Sequence, residues 1–214
     1  EIGIPINIRR PTSAYPTRTV PTPRLAPESE RRHVVVYLRD ARPQDVTPMR
    51  VAIRQINESF TPRVVAVPIG SEVEFPNDDP IYHNVFSLSD SNAFDLGLYG
   101  RGETRSRVFR HVGLVRVFCN VHPRMVAYVL VMPHGRVAQA GADGSFRIEG
   151  VPPGRYKLRA WHERVSGETV QDVVVAAGGL EALQLALDAR GYRWRQHKDK
   201  NGEDYAARGQ RERY

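Results

Sequence analysis

The sequence predicts an all-β chain, a Greek-key β-sandwich followed by a small β-sandwich, with an extended N-terminal arm and a basic C-terminal tail. Three observations predict it. Between His33 and Met132, short runs rich in β-branched and aromatic residues alternate with turn signals. No stretch there sustains a helical period except VTPMRVAIRQI (46–56), which keeps one helix open. From Pro133 the short alternation restarts with turns of its own.

In chain order, residues 1–32 hold six prolines among Thr, Ser and Arg, the composition of an extended arm with polyproline character, a tether or a wrap for a partner protein. The first domain is expected over 33–133. Its strands are HVVVYL (33–38), PRVVAVPIG (62–70), SEVEFPN (71–77), HNVFSLS (83–89), TRSRVF (104–109), LVRVFC (114–119) and MVAYVLVM (125–132). Gly70, the Asn77–Pro80 run, Gly100, Gly102 and Gly113 punctuate them. A second small domain is expected over 134–188, from GRVAQAG, DGSFRIEG, GRYKLRAWHE and ETVQDVVVAAGG. At that size an independent core is near its lower limit, and the 33–38 strand can belong to either sheet. Residues 189–214 are mostly polar and charged and read as a flexible tail, or one ordered on a partner through Tyr192, Trp194, Tyr205 and Tyr214.

The chain has 214 residues, 41% of them hydrophobic, enough to bury a core. Its apolar runs are far too short to span a bilayer, so no transmembrane segment is expected. No secretory leader is visible, and an opening on Glu1 rather than Met fits a processed form. The net charge of +7 and pI near 9.8 admit nucleic acid, an anionic membrane or an acidic protein as partner. The basic excess sits at the ends, however, with no zinc-finger spacing or dense basic–aromatic run, so no nucleic-acid partner is expected. The single cysteine excludes an intrachain disulfide framework.

That cysteine carries the chemistry. Alternation along 114–119 places Val115, Val117 and Cys119 on one face and Leu114, Arg116 and Phe118 on the other, so the thiol projects inward at the end of a strand. The chain leaves the sheet as Asn120-Val121-His122-Pro123-Arg124-Met125 and re-enters it at once. A thiolate, an imidazole and a thioether are thus presented by one tight loop. A free cysteine is most often an inert core thiol, but a core thiol needs neither a histidine three residues on nor a methionine six on. Soft sulfur donors suit Cu(I), and imidazole suits both copper states. A second imidazole would complete a trigonal plane, with Met125 as a weak axial ligand, and His83, at a strand start after the Asn77–Tyr82 turn, is the best candidate. Zinc held by the same three with Asp78 or Asp79 is the rival metal. A nucleophilic Cys119–His122 pair, a Gly-rich phosphate loop, HExxH and paired carboxylates find no support, so no enzyme is expected.

CNVHPRM (119–125), with FPNDDPIYHN (75–84) upstream, resembles the ligand segments of the cupredoxins, and its Cys-x2-His-x2-Met spacing is amicyanin-like. The likeness covers about residues 33–132 and implies a type 1 copper site of His83, Cys119, His122 and Met125. It also implies that Asn84 ties the two ligand segments together, and that His122 forms an exposed edge with Val121 and Pro123 in an apolar patch. Arg124 adds a positive charge beside that edge, favouring an acidic partner or a raised potential. The 36-residue step from His83 to Cys119 looks shorter than in plastocyanin-type members, so 90–103 has to bridge the sheet compactly. DGSFRIEGVPPGRYKLRAWHE (143–163) resembles carboxypeptidase-regulatory-like or transthyretin-like β modules, with Phe146, Tyr156 and Leu158 packing inward. The pairing of the two resembles proteins called methylamine utilisation proteins.

The resemblance implies one type 1 copper per chain and an electron-transfer role with protein redox partners. It also implies a periplasmic or other extracytoplasmic location. The arm and tail suggest a subunit docked in a larger redox or membrane complex. Two alternatives stay open, a non-catalytic interaction subunit that keeps the scaffold, and a copper storage or delivery protein.

Overall fold

The computed structural model describes residues 7–9, 30–39, 46–180 and 183–205. Its strands are β1 (Asn7–Arg9), β2 (Val35–Leu38), β3 (Arg50–Ala52), β4 (Arg54–Gln55), β5 (Phe60–Thr61), β6 (Val64–Pro68), β7 (Glu72–Pro76) and β8 (His83–Ser87). They continue as β9 (Phe94–Tyr99), β10 (Thr104–Val108), β11 (Gly113–Phe118), β12 (Val126–Met132), β13 (Val137–Gln139), β14 (Gly154–Trp161), β15 (Thr169–Val175) and β16 (Ala186–Asp188). Single 3-10 turns lie at Glu30–His33 and Asp90–Asn92, and no described helix is long and apolar enough to cross a membrane. The chain is all-β, with its sheets packed as sandwiches.

It divides into two compact units, one of Val46–Pro133 with Arg195–Tyr214, the other of Glu1–Asp45 with His134–Trp194. In the first, a five-stranded sheet runs β6-β12-β11-β8-β9 and a three-stranded sheet runs β10-β7-β3. Ile53, Val73 and Phe75 meet Val67, Val85, Val115, Val117, Val129 and Val131 in one apolar core. The alternation along β11 is realised: Val115 and Val117 are fully buried while Arg116 faces solvent. Burying each such valine stabilises the fold by about 1.5–3 kcal/mol.

Two sequence expectations are corrected here. The 46–56 stretch is not helical; it forms β3 and β4. Its period of two carries Val51, Ile53 and Gln55 inward, and β3 finds a parallel partner in β7, with Val51 opposite Val73. Pairing with an already apolar neighbour outweighs a weak local helical pattern. Residues 90–103 are more than a compact bridge, since they hold β9, which pairs antiparallel with β8 and extends the sheet by one strand.

In the other unit a four-stranded sheet runs β13-β2-β14-β15, so β2 (the strand the sequence left unassigned) belongs with residues 134–194. Val34, Val36, Leu38, Leu158, Ala160 and Val173 form its core. Leu158 is buried there, and Phe146 and Tyr156 pack partly buried against the same core. DGSFRIEG forms no strand, although Phe146 and Ile148 still reach the core. Within the arm, Asn7–Arg9 pairs in parallel with β16, while 1–6 and 10–29 lie outside the described residues.

Candidate metal centre

β11 ends at Phe118 and hands the chain to Cys119 with its side chain still facing the core. The loop that follows closes on itself: the Met125 N–H donates to the His122 carbonyl at 3.0 Å and the Cys119 N–H to the Met125 carbonyl at 3.4 Å. β8 lies beside β11, antiparallel, with Phe86 opposite Phe118. Antiparallel pairing sends the start of β8 toward the end of β11, which carries His83 to Cys119 across 36 residues of sequence.

Three donor atoms converge. His83 Nδ1 lies 3.0 Å from His122 Nδ1, and Cys119 Sγ lies 3.8 Å from His83 Nδ1 and 3.7 Å from His122 Nδ1. A point equidistant from all three sits about 2 Å from each, the range of metal–nitrogen bonds and slightly short for metal–sulfur. The donor triangle therefore fits one transition-metal ion without rearrangement. Among the described residues, these three form the group of His, Cys, Asp or Glu able to hold an ion. His83 and Cys119 are fully buried, whereas the His122 side chain keeps 14% of its surface exposed.

The orientation of His83 is set from behind. Its Nε2 lies 2.8 Å from Asp79 Oδ2, which leaves Nδ1 to face the cluster. Asp79 is itself fixed by the N–H groups of Asn57 at 2.5 Å and Glu58 at 2.8 Å. Burial alone would raise the Asp79 carboxyl; the Glu58 N–H, the His83 ring and the Asn57 N–H outweigh it and hold the carboxyl below its usual range. A carboxylate behind a ligand histidine fixes the tautomer and strengthens the ligand. Asp79 thus serves behind His83 rather than as a zinc ligand, and Asp78 forms an exposed forked pair with Arg54 at 2.6 and 2.8 Å.

The thiol is primed for metal. Burial pushes it up, but the His122 and His83 rings and the N–H groups of Asn84 and Val121 bring it down to about 6. His83 moves the other way: burial lowers it, and Cys119 and Asp79 raise it above its ordinary value.

Met125 is buried in the same core cluster as Cys119. Val121 and Arg124 are exposed at the loop surface. Asn84 departs from what the resemblance implied. Its backbone N–H serves the Cys119 sulfur, while its side-chain amide donates to Asp95 Oδ1 on β9 at 2.6 Å. His111 is exposed, and His162 is buried in the other unit, stacked on His33 at 6.1 Å between ring centroids. Sequence reasoning missed the role of Asp79, whose signal was its place four residues before His83. It also missed the segment from Arg195 to Tyr205, which packs against this unit; the turn dipeptide Asn201-Gly202 was its signal.

Residues 137–183 match the family profile of polysaccharide lyase family 4, domain II. No curated protein matches the chain. Among solved structures, a Cu-containing nitrite reductase from Thermus scotoductus is similar at 24% identity and a TM-score of 0.38, over 44% of this chain and 25% of that one. The chain therefore spans about a quarter of that reductase. A purple cupredoxin from Nitrosopumilus maritimus is similar at 24% identity and a TM-score of 0.35, over 39% of this chain and 99% of that one. A Cu(I) amicyanin variant is similar at 19% identity and a TM-score of 0.37, over 39% and 82%. The chain's own donor set is two imidazoles and a thiol held within 3.8 Å of one another inside an all-β unit.

Proposed function

We propose that the chain is a non-enzymatic type 1 copper protein that carries single electrons. The observation that carries this reading is the donor triangle of His83, Cys119 and His122, already assembled, buried, and braced by Asp79. Met125, buried in the same core, supplies the axial donor that a copper site of this type prefers to a carboxylate. Bound there, copper would supply one-electron exchange between Cu(II) and Cu(I).

The residues do the rest. Cys119 offers a thiolate near neutral pH. His83 and Asp79 hold a fixed ring orientation, and the loop 119–125 is closed by its own backbone hydrogen bonds, so the donors have little room to move between oxidation states. His122 is the ligand with surface left to solvent, which makes its side the approach for an outside partner, and exposed Arg124 favours an acidic one. The reading extends to an extracytoplasmic location and to a place as a subunit of a redox complex, supported by the arm and by the excess of basic charge at the chain ends.

The test is a visible absorption titration of metal-free, reduced protein with Cu(II), run beside Cys119→Ala. An intense thiolate-to-copper band saturating at one equivalent, and absent from the variant, is the expected result. Full-length protein that develops no such band would overturn the electron-carrier reading.

A further inference from the structure

Residues 189–214 read from sequence as a flexible tail or one ordered on a partner, yet residues 197–205 form a built element. Asp199 Oδ1 accepts from the N–H groups of Asn201 and Glu203 at 2.9 Å each, and the Asp199 N–H donates to the Glu203 carbonyl at 2.8 Å. Gly202, at φ +81°, makes the reversal, and Lys198 pairs with Asp204 at 2.6 Å across it.

This folded turn is fastened to both ligand segments of the metal centre. The His197 ring stacks on Phe118 at 4.2 Å and lies edge-on to Phe86, the two residues that pair β11 with β8. Neither phenylalanine belongs to the central core cluster, so His197 covers the face of the sheet turned away from the donor atoms. Tyr205 OH donates to the Cys119 carbonyl at 3.0 Å. The Lys200 N–H donates to Asn120 Oδ1 at 2.9 Å, and Lys200 Nζ reaches Asp95 Oδ2 at 2.8 Å. Asp95 in turn accepts from Asn84, the neighbour of His83. A continuous line of hydrogen bonds thus runs Asn84–Asp95–Lys200–Asn120, from the residue after one ligand to the residue after another.

We propose that Arg195–Tyr205 is a strap belonging to the metal centre, and that Lys200 and Tyr205 are positioning residues that hold Cys119 and Asn120 in register with His83 and Asn84. The inference rests on the copper reading for its purpose and on the contacts alone for its existence. The side-chain amide of Asn84 is turned away from the ligand loop, and the strap supplies the tie between the two ligand segments instead. Tyr205 acts through the backbone of Cys119. Its phenol withdraws electron density from the carbonyl of the residue that bears the thiolate, and it pins the end of β11 where the strand gives way to the loop.

The experiment uses full-length protein, wild type beside Tyr205→Phe and Lys200→Met, with two readouts. In the metal-free reduced form, the rate at which a chromogenic aryl disulfide modifies the buried Cys119 reports how often the ligand loop opens. Each substitution is expected to raise that rate about fivefold, the effect of losing one hydrogen bond, with the thermal midpoint lowered by about 2–4 °C. In the copper-loaded form, Tyr205→Phe is expected to lower the reduction potential and shift the thiolate-to-copper band, which a strap that merely covers the sheet would leave in place. Wild-type modification rates in both variants would overturn the proposal, as would modification whose denaturant dependence equals that of global unfolding, because the strap then guards no local opening. If the wild type develops no copper band while the variants still expose Cys119 faster, the strap stands as a brace for the thiol loop and only the copper reading fails.

Discussion

At the scale of single residues, the centre depends on groups that are not ligands. Asp79 is the clearest. It is nearly buried, accepts three hydrogen bonds and presents one oxygen to His83 Nε2. Asp79→Asn keeps the size of the side chain but removes its charge, and frees the His83 ring to turn or to change tautomer. Copper affinity is expected to fall about 10- to 100-fold, the usual cost of losing the partner behind a metal-bound imidazole, and competition with a chromophoric chelator measures it. An unchanged affinity would mean that packing alone orients the ring. The sequence made Asp79 visible only as a carboxylate near His83. Nothing in a linear pattern says whether such a group faces the donor cluster or the back of the ring, and the backbone N–H groups of Asn57 and Glu58 that fix it come from another turn of the chain.

At the scale of elements, what places the donors is the pairing of β8 with β11 and the packing of one sheet on the other. A buried polar network links the layers. Gln55 at the end of β4 donates to the Tyr99 hydroxyl at 2.7 Å, and Tyr99 at the end of β9 donates to the Phe75 carbonyl in β7 at 2.7 Å. Tyr99→Phe leaves one buried Gln55 N–H without its acceptor, while the Phe75 carbonyl keeps its bond from Gln55 Nε2 at 3.2 Å. The loss is expected to be about 1–3 kcal/mol, read as a lower denaturation midpoint with an unchanged denaturant slope. Equal midpoints would show that water replaces the hydroxyl. These elements were legible to different degrees. β11 and β12 are long alternating runs, and their register follows from their own patterns. β3 and β4 are short and polar at intervals, and only their partners make them strands. β9 is broken by Gly97 at φ +74° and holds Asp95, so its local pattern is poor, although the edge of β8 accepts it.

For the whole molecule, two separate apolar cores serve two units, and the donor cluster belongs to one of them. A ligand that binds only the folded state stabilises the unit that binds it by mass action. Copper at a hundredfold excess over its dissociation constant is expected to add about 2.7 kcal/mol. Amide exchange in β8, β11 and β12 is expected to slow accordingly, and a chelator that strips the metal should reverse the effect. Exchange in those strands that ignores copper would place the ion elsewhere. The net charge of +7 does not bear on this stabilisation; it acts on encounter with partners and fades with salt.

The sequence by itself determined the all-β class, the inward face of the strand that ends at Cys119, and the cluster of Cys119, His122 and Met125 on one loop. Each follows from spacing along a few residues, where strand alternation and turn chemistry act locally. Tertiary structure decided the rest. It carried His83 to within 3.8 Å of Cys119, turned Asp79 to the back of the ring, assigned β2 to the unit of residues 134–194, and folded the tail against Phe118 and Cys119. Those outcomes depend on which strand edges and apolar faces find each other across tens of residues, and that choice is made by the folded whole.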